Sequence, residues 1–134
     1  MGSALYPVFD MAIPIADALH SFDGAALART AYDDDSPTNM LCARLGIRKI
    51  AEFYSESNQE AFEKIGEEVP ADLNPDDGLE WFEPQEALDV ISKILEADHS
   101  VEHNEPLKQD LRGLWAVLEI ATLNKCLFRL RIDV

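Results

Sequence analysis

Apolar residues recur at helical spacing in two long segments of the second half of the chain, residues 84–98 and 106–124. In the first segment, Leu88, Ile91 and Leu95 follow the i, i+3, i+7 spacing of one helix face. The second segment carries apolar residues on two faces, with Leu107, Leu111, Leu114, Trp115 and Leu118 on one and Val117, Ile120 and Leu123 on the other. We therefore predict two helices and expect the second to lie at the centre of the fold, with protein surrounding its second half.

The first half of the chain shows the starts and stops of helices rather than long apolar stripes. Pro14 fits the first turn of a short helix over residues 14–22, and Asp23 is placed to cap a second helix over residues 24–32. The three consecutive aspartates at 33–35 predict a break, because negative charge at a helix C-terminus opposes the helix dipole.

Two further short helices are predicted from serine caps. Ser36 precedes Pro37, which combines a capping hydroxyl with a proline at the first helical position, and Gly46 provides a left-handed stop. Ser57 and Glu60 occupy the two positions of a capping box. This box predicts a helix that starts directly after Ser57.

Strict alternation predicts one strand at the C-terminal end of the sequence. Over residues 127–134, apolar and charged side chains point in opposite directions, with Phe128, Leu130 and Ile132 on one side and Arg129, Arg131 and Asp133 on the other. This pattern is typical of a half-buried strand. Its partner is either residues 6–9 or residues 47–54, and the latter fit a helix as well as a strand.

The predicted architecture is a single mainly α domain over residues 1–134. It is a helical bundle of about five or six helices with a small sheet that includes the C-terminal strand. The hydrophobic share of 47% allows a packed core. No apolar run approaches the ~18 residues of a membrane span, and no secretory signal is visible. Cys42 and Cys126 have apolar neighbours, which favours two buried thiols, and we expect a cytoplasmic protein.

Negative charge is concentrated in the middle of the chain. The formal net charge is −15, and residues 52–105 hold seventeen acidic residues but only two basic ones, Lys64 and Lys93. Because phosphates would be repelled, neither a nucleic acid nor an anionic membrane is expected as a partner. The concentration favours a local acidic face, and the competing interpretation is a solvated surface that maintains solubility.

Residues 67–83, here called the acidic loop, are the least regular part of the sequence. A loop of this length is uncommon and is often functional. The candidate residues for contact with a partner lie within it and are Asp72, Asp76, Asp77, Glu80, Trp81 and Glu83. We predict that they bind a basic protein, as inhibitor or immunity-type proteins do when they occupy the nucleic-acid groove of a toxin or nuclease. Trp81 is either a core residue or an exposed aromatic anchor.

Metal binding is the first alternative. With Asp72 as position 1 of a calcium loop, oxygen ligands fall at positions 3, 5, 9 and 12, but Gly78 falls at position 7 instead of 6 and Pro84 directly follows the last ligand. Residues 99–103 spell H-x-x-E-H, the spacing of one class of zinc peptidases, which also needs a third protein ligand. We assign no catalytic residue, no resident metal and no cofactor.

Self-association is the second alternative. The two apolar faces predicted for residues 106–124 would let this helix pack against a copy of itself across a two-fold axis, as in a structural homodimer. An enzyme is the less favoured class, because the sequence holds no nucleophile elbow, phosphate-binding loop or dinucleotide-binding motif.

Overall fold

The computed structural model describes residues 4–11, 23–31, 36–97 and 105–133. Within these residues the chain forms two strands and five α-helices, together with one 3-10 helix (Ile50–Phe53). In chain order they are β1 (Ala4–Phe9), α1 (Ala25–Ala31), α2 (Pro37–Leu45), α3 (Asn58–Lys64), α4 (Pro84–Ala97), α5 (Glu105–Leu123) and β2 (Phe128–Asp133). The predicted fold class, mainly α with a small sheet, is confirmed.

Three sequence predictions lie outside the described residues. They are the helix over 14–22, the break at 33–35 and the histidine motif at 99–103.

The sheet joins the two ends of the chain. β1 and β2 pair in antiparallel fashion along all six residues of each strand. The other predicted partner, residues 47–54, forms the 3-10 helix and then a single parallel bridge from Tyr54 to Leu130. A further bridge joins Phe82 to Phe128 through backbone hydrogen bonds of 2.7 and 2.9 Å. β2 therefore has backbone partners on both edges, although the sheet proper has two strands.

α5 lies at the centre of the fold, as predicted. It packs against α4, α1 and β1, and its inner residues Leu111, Leu114 and Leu118 are buried. The prediction that protein surrounds its second half is wrong at the end of the helix, because Leu123 is 78% exposed. The helix ends at this residue, and the next turn, in which Lys125 has a φ of 56°, returns the chain to β2. The outer side of the last turn of α5 is therefore open to solvent, whereas Ala121 on its inner side is buried.

The first turn of α1 is capped by a residue of α5. The buried carboxylate of Asp110 accepts hydrogen bonds from three backbone N–H groups, those of Gly24 (3.0 Å), Ala26 (2.9 Å) and Leu27 (3.1 Å). The prediction that Asp23 caps this helix is wrong, because the N–H groups that its side chain would bind, those of Ala26 and Leu27, donate to Asp110 instead. A carboxylate that is remote in sequence already satisfies the N–H groups that a helix start leaves open.

Gly24 fixes the contact between α1 and β1. Its φ is +82°, and the backbone N–H of Leu5 donates to its carbonyl oxygen at 3.1 Å. A Cβ at this position would lie 2.0 Å from the carbonyl oxygen of Leu5. Both the backbone conformation and the close approach therefore require glycine.

Both serine caps are confirmed. The hydroxyl of Ser36 accepts a hydrogen bond from the backbone N–H of Asn39 at 3.1 Å, and Gly46 ends α2 with a φ of 69°. At α3, the Ser57 hydroxyl accepts from the N–H of Glu60 at 3.3 Å, while the Glu60 carboxylate accepts from the N–H of Ser57 at 3.0 Å. These two helix starts are set by local sequence, in contrast to α1.

The two cysteines are buried and form no disulfide, as predicted. Burial, with a smaller contribution from the nearby Asp10 carboxylate, raises the pKa of the Cys126 thiol. This thiol is therefore neutral near pH 7 and a poor nucleophile.

Candidate functional site

The acidic loop has no helix or strand, but its backbone is tied to the start of α3. The N–H of Asn58 donates to the carbonyl of Asp77 at 2.8 Å, and the N–H of Gln59 donates to the carbonyl of Pro75 at 2.9 Å. The Asn58 side chain also donates to the carbonyl of Asn74 at 2.9 Å. The loop thus supplies acceptors for N–H groups that the first turn of a helix leaves open, and its path is fixed by these bonds.

The C-terminal part of the loop is attached to the sheet side of the molecule. The backbone N–H of Glu80 donates to the hydroxyl of Ser55 at 2.6 Å. Two residues later, Phe82 is buried and paired with Phe128 of β2. Residues 74–82 are therefore held at both ends.

The acidic candidate residues all face solvent. The side chains that share this property are Asp72, Asp76, Asp77, Glu80 and Glu83. None of these five carboxylates forms an ion pair in the part of the chain that the structure describes. They lie along one exposed stretch of chain, with their negative charge uncompensated.

Trp81 differs from the other candidates because its ring is already engaged. It is half-buried, and the guanidinium carbon of Arg129 lies 5.2 Å from the ring centroid, within the range of a cation–π contact. One face of the ring is therefore taken by Arg129 and is not open to a partner.

Arg129 belongs to a cluster with Arg131 and Glu60, here called the arginine cluster. Arg129 binds the Glu60 carboxylate with both terminal nitrogens, at 2.7 and 2.9 Å, and also donates to the carbonyl of Ser55 at 2.9 Å. Arg131 reaches the same carboxylate at 2.7 Å. Bidentate pairs of this kind fix orientation as well as charge.

The arginine cluster corrects the prediction of a half-buried β2. Alternation places Arg129 opposite the apolar residues of the strand, yet Arg129 is only 7% exposed. The side predicted to face solvent is covered, because Glu60 of α3 and Trp81 both contact the guanidinium group. Nothing in the alternation itself distinguishes a solvated side from one that a helix covers.

Glu60 is ionised in this setting. Partial burial acts to raise its pKa, but the hydrogen bonds from Arg129 and from the backbone of Ser57, together with the charges of Arg129 and Arg131, hold the pKa below the usual range. Glu60 therefore serves two structural tasks, since it caps α3 and forms ion pairs with two arginines.

A second paired group lies close to the first and contains Lys64, Glu56 and Tyr54. Lys64 forms an ion pair with Glu56 at 2.7 Å and a hydrogen bond with the hydroxyl of Tyr54, which in turn donates to Glu56 at 2.6 Å. Burial opposes ionisation of Glu56, yet the bonds from Lys64 and Tyr54 lower its pKa overall. The same contacts raise the pKa of Lys64 against the effect of burial.

The calcium alternative receives no support from the described geometry. Among residues 4–11, 23–31, 36–97 and 105–133, no group of three or more His, Cys, Asp or Glu side chains is placed to hold a metal ion. α4 begins at Pro84, immediately after Glu83, so the exiting helix starts too late for a helix–loop–helix calcium site. The zinc alternative at 99–103 concerns residues outside the described ranges.

Comparison with known proteins identifies no relative. No protein-family model, curated protein or solved structure matches this chain. Among the described helices, none is both long enough and apolar enough to cross a membrane.

Proposed function

We propose that this protein binds a basic protein through the acidic loop. The observation that carries the proposal is that all seven carboxylates of residues 67–83 are exposed and none forms an ion pair within the described chain. Outside the loop but still within residues 52–105, Glu56 and Glu60 form ion pairs with basic side chains of the protein itself. The loop carboxylates are thus available to meet positive charge on another molecule. The exposed acids of α4 share this property, but the loop differs in holding seven acidic residues and no lysine or arginine.

The attachment of the loop to α3 supports this proposal on energetic grounds. Because backbone hydrogen bonds already fix residues 74–77, a partner would not have to order this segment on binding. Uncompensated charge on such a surface accelerates association with an oppositely charged partner.

Apolar contact area is present beside the charges. Leu73, within the loop, is 42% exposed, and Ile65, directly after α3, is 66% exposed. These side chains, rather than Trp81, are the proposed apolar anchors. The partner class is a protein whose basic surface binds nucleic acid when free, and the proposed effect is competition for that surface.

The test uses two charge-reversal variants that change the net charge by the same amount. The loop variant replaces Asp72, Asp76 and Asp77 with lysine. The control variant replaces three exposed acids of α4 with lysine, namely Glu86, Asp89 and Glu96. Each protein is immobilised and exposed to lysate of the native host at low and high salt, and retained proteins are identified by mass spectrometry.

We expect the wild type and the α4 control to retain the same basic protein at low salt and to lose it at high salt. The loop variant should lose it at both, and with the purified partner its association rate should fall about tenfold or more. Equal retention by the loop variant, or equal losses in the two variants, would reject the acidic loop as the binding site.

A further inference from the structure

α5 presents a solvent-exposed line of residues that the described fold does not use. Arg112, Ala116, Glu119 and Leu123, here called the outer stripe, are all exposed. Their spacing of four, three and four residues places them on one face of the helix. Because Leu123 is 78% exposed, the stripe ends in a large apolar side chain without a protein neighbour to cover it.

An apolar groove of about 300 Å³ between α4 and α5 adjoins this stripe. Leu95 and Trp115 form its walls, and Arg112 belongs to both the groove and the stripe. Trp115, which belongs to one of the two apolar faces predicted for α5, is half-buried, and its Nε1 donates to the hydroxyl of Ser92 at 3.3 Å. The polar atom of the ring is thus satisfied within the protein, and its remaining exposed surface is apolar.

The charges of the outer stripe are balanced, unlike those of the acidic loop. Arg112 and Glu119 are both exposed, and neither forms an ion pair within the described residues. α5 has two basic residues, Lys108 and Arg112, and three acidic ones. Glu105 and Glu119 are exposed, whereas Asp110 is buried and caps α1. In a chain of net charge −15, this helix is a surface that a second copy can approach without strong repulsion.

We propose that the outer stripe is the interface of a symmetric homodimer in which α5 packs antiparallel to α5 of a second copy. Arg112 and Glu119 are seven residues apart, about 10 Å along the helix axis. A two-fold axis beside Ala116, midway between them, brings Arg112 of each copy opposite Glu119 of the other. Symmetry thus produces two ion pairs, and the small side chain at the crossing allows the helices to approach closely.

Charge complementarity favours a second copy over a different occupant. A basic protein would gain no net attraction from a stripe in which Arg112 and Glu119 balance, and would be attracted to the acidic loop instead. A second acidic copy is self-complementary where charges of both signs share one stripe, as they do here. The proposed dimer does not depend on the proposed function, because it uses a different helix and different residues.

The test measures mass against concentration by sedimentation equilibrium, from micromolar to millimolar protein. The variants are Arg112→Glu, Glu119→Arg and the double variant that exchanges the two charges. A matched control is Arg44→Glu, which makes the same charge change at an exposed position of α2. Thermal unfolding of each variant checks that these exposed substitutions leave the fold intact.

We expect the wild type to approach twice the monomer mass as its concentration rises. Each single charge reversal should raise the dissociation constant at least tenfold, because like charges then meet twice across the axis. The double variant should return to within a few-fold of the wild type, and Arg44→Glu should match the wild type. A wild type that stays monomeric at millimolar concentration, a dimer insensitive to both reversals, or a double variant no tighter than the singles would each overturn the proposal.

Discussion

Two groups of carboxylates in different regions of the molecule differ in what they bind. Asp110, Glu60 and Glu56 bind groups of other elements, which are the N–H groups of α1, the two arginines of β2, and Lys64 with Tyr54. The carboxylates of the acidic loop bind no basic side chain in the described chain, and only the loop backbone is held in place. The first group therefore stabilises the fold, whereas the second adds charge without adding stability.

This difference shows why the net charge of −15 does not by itself locate a site. Exposure and the lack of an ion-pair partner identify the acids that another molecule can use. Substitutions in the two groups should consequently have opposite profiles, with large effects on stability in the first and effects on binding alone in the second.

Replacement of Asp110 by alanine should have the largest effect on stability. Three backbone N–H groups at the start of α1 would lose their acceptor in a buried environment, which costs about 3 kcal/mol of unfolding free energy. Urea denaturation of the two proteins measures this loss.

The matched control for Asp110→Ala is Asp23→Ala. Because Asp23 is exposed and does not cap α1, its replacement should change the unfolding free energy by less than about 0.5 kcal/mol. A loss at Asp23 as large as that at Asp110 would mean that the local residue caps the helix after all.

Replacement of Arg129 by methionine should have the next largest effect. Methionine keeps much of the side-chain packing but leaves Glu60 with Arg131 as its one remaining ionic partner among the described residues, and it removes the contact with Trp81. We expect a loss of about 2 kcal/mol, because the pair is almost fully shielded from solvent on the arginine side.

Arg131→Met tests whether the position within the cluster matters. This side chain is more exposed and makes one bond to Glu60 rather than two, so its loss should cost about 1 kcal/mol or less. Equal losses for the two arginines in urea denaturation would contradict the bidentate role assigned to Arg129.

The parts of the fold that sequence predicts well are those that depend on near neighbours. The caps at Ser36 and Ser57, the helix stop at Gly46 and the alternation of β2 all follow from residues within a few positions of one another. The cap of α1 does not, since Asp110 lies more than eighty residues from the N–H groups it binds. The capping residue type at Asp23 predicted a helix that does form, but the residue that caps this helix is Asp110.

For the candidate site, the sequence predicts the exposed carboxylates of the acidic loop but not the state of Trp81. An acidic, proline-containing stretch has few apolar residues to bury, so its exposure follows from composition. Whether the Trp81 ring is free depends on Arg129, which is remote in sequence. The sequence did hold one signal for the arginine cluster. Arg129 and Arg131 lie on the same side of a strand in a chain with few basic residues, and such a pair indicates a nearby carboxylate.

The smallest expected effect is a pH dependence of stability that arises from Glu60 and Glu56. The pKa values of Glu60 and Glu56 are lowered in the folded protein despite their partial burial, so their ionised forms stabilise the fold. This stabilisation is complete above the unfolded-state pKa of about 4.3 and is lost as the pH falls through the lower folded-state values. The melting temperature should therefore decrease between pH 5 and pH 3, and Glu60→Gln should make the decrease shallower. Asp72, Asp76 and Asp77 replaced together by asparagine should leave the unfolding free energy at pH 7 within about 0.5 kcal/mol of the wild type, since these exposed side chains form no ion pair in the described chain. If that loop variant is destabilised at pH 7 and Glu60→Gln leaves the pH profile unchanged, the division between structural and available carboxylates is wrong.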